Sequence, residues 1–480
     1  MKVCLVYPDV SGIEHYGARK YYHGLGYLSS ILKQAGHETS LIYLQRELTE
    51  DEFLRQLTAT AADLVAFSST THQYPYVRTC ARWIKHAAPE VPTIVGGPHP
   101  TLAPEDVLAD SGIDLICVGE GEYALLDLAH ALQQGQDWIG IPNLWLRRDG
   151  QLIRNPLRPL ISDLDTLPLP DRELFDFGQI LAANDGWVDM MAGRGCPYGC
   201  SYCCNPALRE RFNGLGKYVR FRSVANVVEE IRSLASSYTI KTLNFQDDVF
   251  TLDREWTLQF SQAYGQEFQF PFWINTRVER MNDAELVAAL ASAGCRGVRI
   301  GIESGNEALR ADILKRRMSN NEIRQAFALA RKYGLETYTC NMLGIPGETA
   351  EMIEETVALN RELQPADLQF SVFYPYPMTE LYDVSVRNGY LVEGDSLPSY
   401  YERRSVLRLP TLSREQLEQG YDHFVQLKRE LRMKREKPMT YRIYRALRAV
   451  LRDADRAWAV VRILSRVKAH LAGSMSSAHS

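Results

Sequence analysis

Four of the chain's nine cysteines, Cys196, Cys200, Cys203 and Cys204, fall within the stretch GRGCPYGCSYCCNP. Thiolates suit zinc or iron–sulfur clusters, and the number of ligands decides between them. A structural zinc site closes with four ligands, usually from two separated pairs. The chain offers no second pair and no histidine knuckle. Cys204 directly follows Cys203, and adjacent cysteines project in different directions, so Cys204 is left out of the ligand set. Cys196, Cys200 and Cys203 stand at C-x₃-C-x₂-C spacing. Three thiolates on a four-iron cluster leave one iron open, and an open iron can bind a substrate. The other cysteines, Cys4, Cys80, Cys117, Cys295 and Cys340, lie in apolar or strand-like runs and read as buried core thiols.

A chain of 480 residues exceeds one ordinary core, and a prior of roughly 150 residues per domain divides it into about two to four units. Its composition, 45% hydrophobic and 24% charged, is that of a globular protein rather than a disordered or membrane-spanning one. A net charge of −5 gives no global attraction for nucleic acid. The opening MKVCLVYPDV lacks the zones of a signal peptide, and no run of about 18 apolar residues occurs, so a cytoplasmic protein is expected. Thiols stay reduced there, which favours metal binding or catalysis over disulfides for the tight cluster.

Two α/β modules are available to position that cluster. Residues 1–140 alternate short β-rich runs with helical stretches, from KVCLVYP and GYLSSILKQAG through TIVGGPHP to DLICVGEGE. That alternation predicts a Rossmann- or flavodoxin-like domain whose ligand lies over the C-terminal strand ends. The loops there are residues 7–9, 68–71, 96–100 and 119–122. The Gly96-Gly97 pair alone reads as a strand-capping turn, and without G-x-G-x-x-G a dinucleotide is not indicated. Four small or polar loops nevertheless leave a broad opening for something large and planar. Residues 141–185 read as a connector, with PNLWLRRDGQLIRNP a hairpin turning at Asp149-Gly150 and LPLPDRELFDF a proline-broken loop.

From Val188 the alternation resumes, and residues 186–385 carry six βα units with strands near 188–192, 242–246, 272–276, 297–303, 336–343 and 368–374. Six units suit a (β/α)₆ partial TIM barrel that gathers its site at the C-terminal strand ends. Those ends carry the cysteine cluster, Asp247-Asp248, Asn275 and Arg277, Glu303-Ser304-Gly305, Gly344-Ile345-Pro346-Gly347-Glu348 and Tyr374-Pro375-Tyr376-Pro377. One Asp or Ser there is an ordinary helix cap. All of them on one rim make a site.

CPYGCSYC resembles the C-x₃-C-x-Φ-C motif of the radical S-adenosylmethionine superfamily, with Tyr202 as the aromatic Φ. VGGPHPT followed by VGEGE resembles the cobalamin-binding domain of the superfamily's cobalamin class, and the resemblance covers about residues 1–385. It implies a [4Fe-4S] cluster on Cys196, Cys200 and Cys203 whose open iron chelates S-adenosylmethionine, which one electron cleaves to a 5′-deoxyadenosyl radical. FQDDVF and RIGIESGNE resemble the segments that hold the methionine and ribose parts, which puts Asp247 or Asp248, and Glu303 with Ser304, beside S-adenosylmethionine. NMLGIPGET, with Gly344, resembles the stretch that passes the adenine, and Tyr202 falls on that side. Arg277 in INTRVE either pairs with the carboxylate or makes a rim salt bridge. Cobalamin falls to Ser68, Thr71, Gly96, Gly97, Gly119 and Glu120. The D-x-H-x-x-G motif that supplies an axial histidine is absent, and GIEHYG around His15 is not that motif. Cobalt without histidine ligation is therefore implied, and His72 and His99 read as loop hydrogen-bonders.

The methyl of S-adenosylmethionine is electrophilic, so it cannot methylate an unactivated carbon that has no lone pair, whereas a carbon radical can take a methyl from methylcobalamin. The implied enzyme is a cobalamin-dependent radical methyltransferase in which one S-adenosylmethionine methylates cob(I)alamin and a second yields the radical, the protein orienting both cofactors. Its expected substrate is a small molecule, a lipid or a tetrapyrrole-like compound, methylated at carbon or phosphorus. An external donor such as flavodoxin or ferredoxin supplies the electron. The alternatives are oxidative cyclisation or ring contraction with the same cofactors, and a non-enzymatic iron–sulfur redox sensor, which has no use for so many decorated strand ends.

Residues 386–480 form a helical tail, opened by a capping box of Ser413 with Gln416. From 428 to 468 it carries fourteen Lys or Arg against four acids. Ile443, Leu447, Val450, Leu451, Trp458, Val461 and Leu464 form an apolar face opposite Arg442, Arg445, Arg448, Arg452 and Arg456. Two readings stand: residues 438–468 contact an anionic membrane surface or partner, or the helix packs on its own barrel with a solvated basic face. Residues from Ala472 on read as disordered.

Overall fold

The computed structural model describes residues 1–9, 20–148, 150–392, 394, 402–451 and 458–463. His15, Asp149, Arg452, Arg456, Leu464 and the residues from Ala472 on lie outside that set, as do the side chains of Arg448, Val450 and Leu451.

The first sheet contains β1 (Lys2–Pro8), β2 (Glu38–Leu44), β3 (Leu64–Ser68), β4 (Thr93–Gly96), β5 (Leu115–Cys117), β6 (Leu144–Arg148) and β7 (Gln151–Arg154), ordered β2-β1-β3-β4-β5-β6-β7. The first five strands are parallel, as apolar runs such as VCLVYP covered by helices on both faces require. The hairpin read as part of a connector instead continues this sheet, β6 pairing antiparallel with β5. The short β5 would otherwise leave an open edge. Asn155 fastens the hairpin by donating to the carbonyls of Ile139, Ile141 and Leu144.

The second sheet is built from β8 (Trp187–Met190), β11 (Thr242–Phe245), β12 (Phe272–Thr276), β13 (Cys295–Glu303), β14 (Glu336–Leu343) and β15 (Asp367–Val372), ordered β15-β14-β13-β12-β11-β8 and parallel throughout. A separate small ladder pairs β9 (Gly193–Arg194) with β10 (Arg220–Phe221). Six parallel strands with a helical element after each give the partial barrel. The predicted strands fall within about two residues of the observed ones. The helical element after β13 is a single π turn, Leu309–Ile313. Arg310, fully buried, spans the carbonyls of Ser304 and Met318 and so sets the path of the chain there.

One apolar core runs through both sheets. It joins Leu5 and Leu64 of the first to Val188 and Ile300 of the second through Phe175, Phe177 and Ile180. The segment after the hairpin is thus a packed bridge between the modules. In the tail, the capping box forms at the start of the helix Arg414–Glu436. That helix buries Leu417, Phe424 and Leu427 against Leu343 and Leu368 of the barrel. The next helix, Pro438–Leu451, turns Tyr444 inward against Met433 and Val461. Ile443, placed on the apolar face from sequence, is 48% exposed, with Met439 at 66% and Ile463 at 60%. The adjacent tyrosine wins because its hydroxyl reaches Glu430 at 3.3 Å while its ring is buried. Among the described residues no helix is long and apolar enough to cross a membrane.

Candidate functional site

The loop after β8 carries the cysteines and is tied down from β11. Asp247 accepts from the backbone N–H of Ala192 at 3.0 Å and of Gly193 at 2.6 Å. Burial first of all pushes its carboxyl up to about 7. Cys196, Cys200 and Cys203 line one cavity of about 840 Å³ at the barrel rim, together with Tyr202, Asp248, Arg277 and Glu303. Donors surround the sulfurs. Asn205 N and Nδ2 each lie 3.5 Å from Cys203 Sγ, and Arg277 and Arg316 Nη1 lie 3.6 and 3.7 Å from Cys200 Sγ. Hydrogen bonds to sulfur stabilise thiolate and sulfide charge in an iron–sulfur site. Among the described residues no three His, Cys, Asp or Glu side chains converge on a single-ion position. A four-iron cluster does not ask for that convergence, because each thiolate binds a different iron. The donor set fits such a cluster.

Cys204 lies outside this lining. Its thiol is hydrogen-bonded with the Cys203 sulfur, which holds Cys203 down to about 7 and pushes Cys204 up. Tyr202 donates to Glu303 Oε1 at 3.0 Å, and Arg316 reaches the same hydroxyl at 3.3 Å. Burial raises the Glu303 carboxyl. Arg277 both faces the cavity and pairs with Glu279 at 2.8 Å, with its guanidinium 3.7 Å from the Tyr198 ring.

Three sequence assignments move away from the cavity. Asp247 faces the backbone of the cysteine loop, and its neighbour Asp248 is the one in the cavity lining. Ser304 is fully buried and hydrogen-bonds Asn306 N, which makes it a turn residue. Gly344 donates to Glu348 Oε2 at 2.6 Å and packs toward Leu417. Glu348 is fully buried, its Oε1 has no hydrogen-bond partner among the described residues, and burial pushes it up to about 8.

A second cavity, about 590 Å³, opens over the C-terminal strand ends of the first sheet, with Ser68, Gly96, Gly97, Gly119 and Glu120 in its wall. Two glycines are required there. At Gly97 (φ 98°) an added Cβ would sit 2.9 Å from the Ser69 backbone, and at Gly119 (φ 100°) 2.9 Å from the Phe212 ring. Tyr7 and Tyr22, stacked at 4.8 Å, add flat apolar wall. This broad, largely apolar cradle fits a corrinoid face. Thr71 is not in the wall, and its hydroxyl meets His99 Nδ1 at 3.3 Å. His72 Nε2 meets the Tyr376 hydroxyl at 3.1 Å. Glu120 is committed elsewhere. Against burial, Arg194 and Arg220 hold it below the usual carboxylate range, at 2.8 and 3.0 Å, and it also accepts from Ile161 N. Arg194 pairs with Glu122 as well, at 2.6 Å, so the loop after β5 is clamped to the strand that leads into Cys196.

The two cavities share Lys20, Asp189 and Gln246 in their walls. Sequence reasoning missed these, along with Arg299, Arg316, Tyr338 and the clamp residue Arg194. It also assigned Cys340 to the core, whereas the thiol lines the barrel cavity. The signal was present in β13, where Arg299, Gly301 and Glu303 alternate and so share the inward face.

The chain matches the Radical SAM superfamily over residues 190–359 and the B12 binding domain over residues 17–129. It is 30% identical over 397 residues to an uncharacterized methyltransferase of Pyrococcus horikoshii, which covers 82% of this chain and 84% of that one. It is 26% identical to the anaerobic magnesium-protoporphyrin IX monomethyl ester cyclase of Rubrivivax gelatinosus over 75% of this chain and 65% of the relative. Its fold is similar, with a TM-score of 0.70, to the radical S-adenosylmethionine methyltransferase TsrM of Kitasatospora setae with cobalamin and a [4Fe-4S] cluster bound, at 19% identity and with 89% and 88% of the two chains covered. With both domains matched in this order and a relative alike over most of its length, the chain belongs to the cobalamin-binding radical S-adenosylmethionine enzymes, whose cofactors are a [4Fe-4S] cluster, S-adenosylmethionine and cobalamin.

Proposed function

We propose that the chain is a radical methyltransferase that moves a methyl group from S-adenosylmethionine, by way of cobalamin, to an unactivated carbon or a phosphorus of a small-molecule substrate. The observation that carries this reading is the shared wall: Lys20, Asp189 and Gln246 border both the glycine-lined cavity and the cysteine-lined cavity. When bound, the cluster with S-adenosylmethionine supplies a hydrogen-abstracting radical, and cobalamin supplies the methyl group. The protein's part is placement. Cys196, Cys200 and Cys203 hold the cluster, Arg277 and Arg316 set positive charge against the Cys200 sulfur, and Tyr202, Asp248 and Glu303 border S-adenosylmethionine. Gly97 and Gly119 keep the second cavity open. Asp189 accepts from Asn244 at 2.6 Å and Gln246 at 2.9 Å, which fixes both amides at the junction.

The test is reconstituted protein given reductant, methyl-labelled S-adenosylmethionine and a small-molecule extract of the native host. Methyl transfer yields both 5′-deoxyadenosine and S-adenosylhomocysteine with label in a product, and absence of 5′-deoxyadenosine sinks the reading. The resemblance to a cyclase favours one rival, oxidative ring closure, which gives 5′-deoxyadenosine without S-adenosylhomocysteine. The exposed Met439 and Ile443 near Arg442 and Arg445 in the sequence, and the exposed Ile463 after Arg462, further support peripheral contact of the tail with anionic lipid. Co-sedimentation with anionic vesicles is expected to fall on exchange of Ile443 and Ile463 for Ser. Unchanged sedimentation would remove the membrane from the proposal.

A further inference from the structure

Arg299 stands on β13 four residues before Glu303, ~13 Å down the strand from the rim that carries the cysteines. Its side chain lines the barrel cavity. The guanidinium carbon lies 5.2 Å from the centre of the Trp273 ring and 6.0 Å from that of Tyr338. Among the described residues its one hydrogen bond runs from Nη1 to Asn244 Oδ1 at 2.6 Å, and no carboxylate reaches it within ion-pair distance. The other arginines of this wall are answered: Arg277 by Glu279 at 2.8 Å and Arg316 by Glu303 at 3.9 Å. Asn244 is itself held, donating through Nδ2 to Asp189 Oδ1, so that its oxygen is turned to Arg299. The carboxylate that balances the guanidinium is thus kept one amide away. Nε and Nη2 are left for the cavity.

A guanidinium held by one amide, flanked by aromatic rings and facing a cavity with free donors is built to take a planar or tetrahedral oxyanion in bidentate fashion. We infer that Arg299 is a specificity residue, and that the substrate carries an anionic group, carboxylate or phosphate-like, anchored between Trp273 and Tyr338 with the rest of the molecule directed up toward the rim. This inference rests on the proposed placement of S-adenosylmethionine in the barrel cavity, and takes the substrate into the same cavity.

The experiment is calorimetric titration of the reconstituted protein, with S-adenosylmethionine present, by three aromatic probes: benzoate, phenylphosphonate and the neutral benzamide. Wild type is expected to bind at least one anion about ten- to a hundred-fold more tightly than benzamide, and the tighter of the two anions identifies carboxylate or phosphate-like chemistry. R299Q is expected to erase that preference and R299K to retain part of it, while iron content per chain checks that each variant folds. Equal binding of all three probes, no binding of any, or an anion preference that survives in R299Q would overturn the inference. So would weaker S-adenosylmethionine binding by R299Q with unchanged probe binding, since Arg299 would then serve the cosubstrate. An intact anion preference in an enzyme that transfers no label would instead sink the methyl-transfer reading and leave this one standing.

Discussion

Exchange of Cys203 for Ser is expected to strip the protein of its cluster and of all 5′-deoxyadenosine formation, while exchange of Cys204 for Ser leaves both in place. The structure gives these neighbours different surroundings. Cys203 faces the rim cavity and receives two contacts from Asn205 at 3.5 Å. Cys204 is at the N-terminal end of the helix Asn205–Arg211, outside the cavity lining. A serine hydroxyl at position 203 is a far weaker iron ligand than a thiolate, and a cluster held by two cysteines alone is readily lost. Iron and sulfide analysis after anaerobic reconstitution should find about four irons per chain in wild type and in C204S, and little in C203S, C200S or C196S. Loss of iron in C204S as complete as in C203S would show that Cys204 is a ligand. A smaller effect is expected in C204S even if the assignment holds: the Cys204 thiol hydrogen-bonds the Cys203 sulfur, so its removal should shift the cluster potential measured by redox titration.

The second large effect is on stability. Glu230 is buried between two arginines, Arg172 at 2.6 Å on one carboxylate oxygen and Arg222 on the other, all three side chains at most 7% exposed. Arg172 comes from the bridging segment, lying 4.0 Å from the Tyr21 ring of the first module, and Arg222 also donates to the Met191 carbonyl just ahead of the cysteine loop. Removing one member of a buried ion network leaves charge without compensation, at about 3–5 kcal/mol. E230A is therefore expected to lower the urea midpoint by that equivalent and to reduce cluster retention without touching a ligand. Burial alone would raise the Glu230 carboxyl, but Arg222 and Arg172 hold it at about 2, below its ordinary 4.5. A carboxyl depressed in the folded state adds stability that is present above pH 4.5 and is lost as pH falls through about 2. Wild type should lose stability over that acid range, and E230Q should lose less. An E230A midpoint equal to that of wild type would show that the two arginines are relieved by solvent or by another acid.

Much of this arrangement is legible in the chain. The cysteine spacing sets which thiols can share a cluster, and the alternation of apolar runs with helical periods predicts both parallel sheets, since those periods are local properties of the backbone. The S-x-x-Q box at Ser413 forms as read because its partners lie within one helical turn. What the sequence left undecided depends on partners far along the chain. Glu120 has the position of a ligand contact, but Arg194, seventy-four residues later, takes its carboxylate. Asp247 and Asp248 are equivalent in a motif, yet neighbours at a strand end point to opposite sides, and only the register of β11 against β8 decides which one meets the backbone of the cysteine loop. The hairpin after residue 140 is recognisable as a hairpin, and only the unpaired edge of β5 makes it part of the first sheet.

By itself, then, the sequence determined the ligand spacing, the two α/β modules and their order, because these follow from contacts within a few residues. Tertiary structure alone decided which side chains face the two cavities, that those cavities meet at Lys20, Asp189 and Gln246, and that Arg299 is left with donors to spare. The direction and pairing of a charged side chain are set by whichever distant element packs against it, and no local spacing encodes that neighbour.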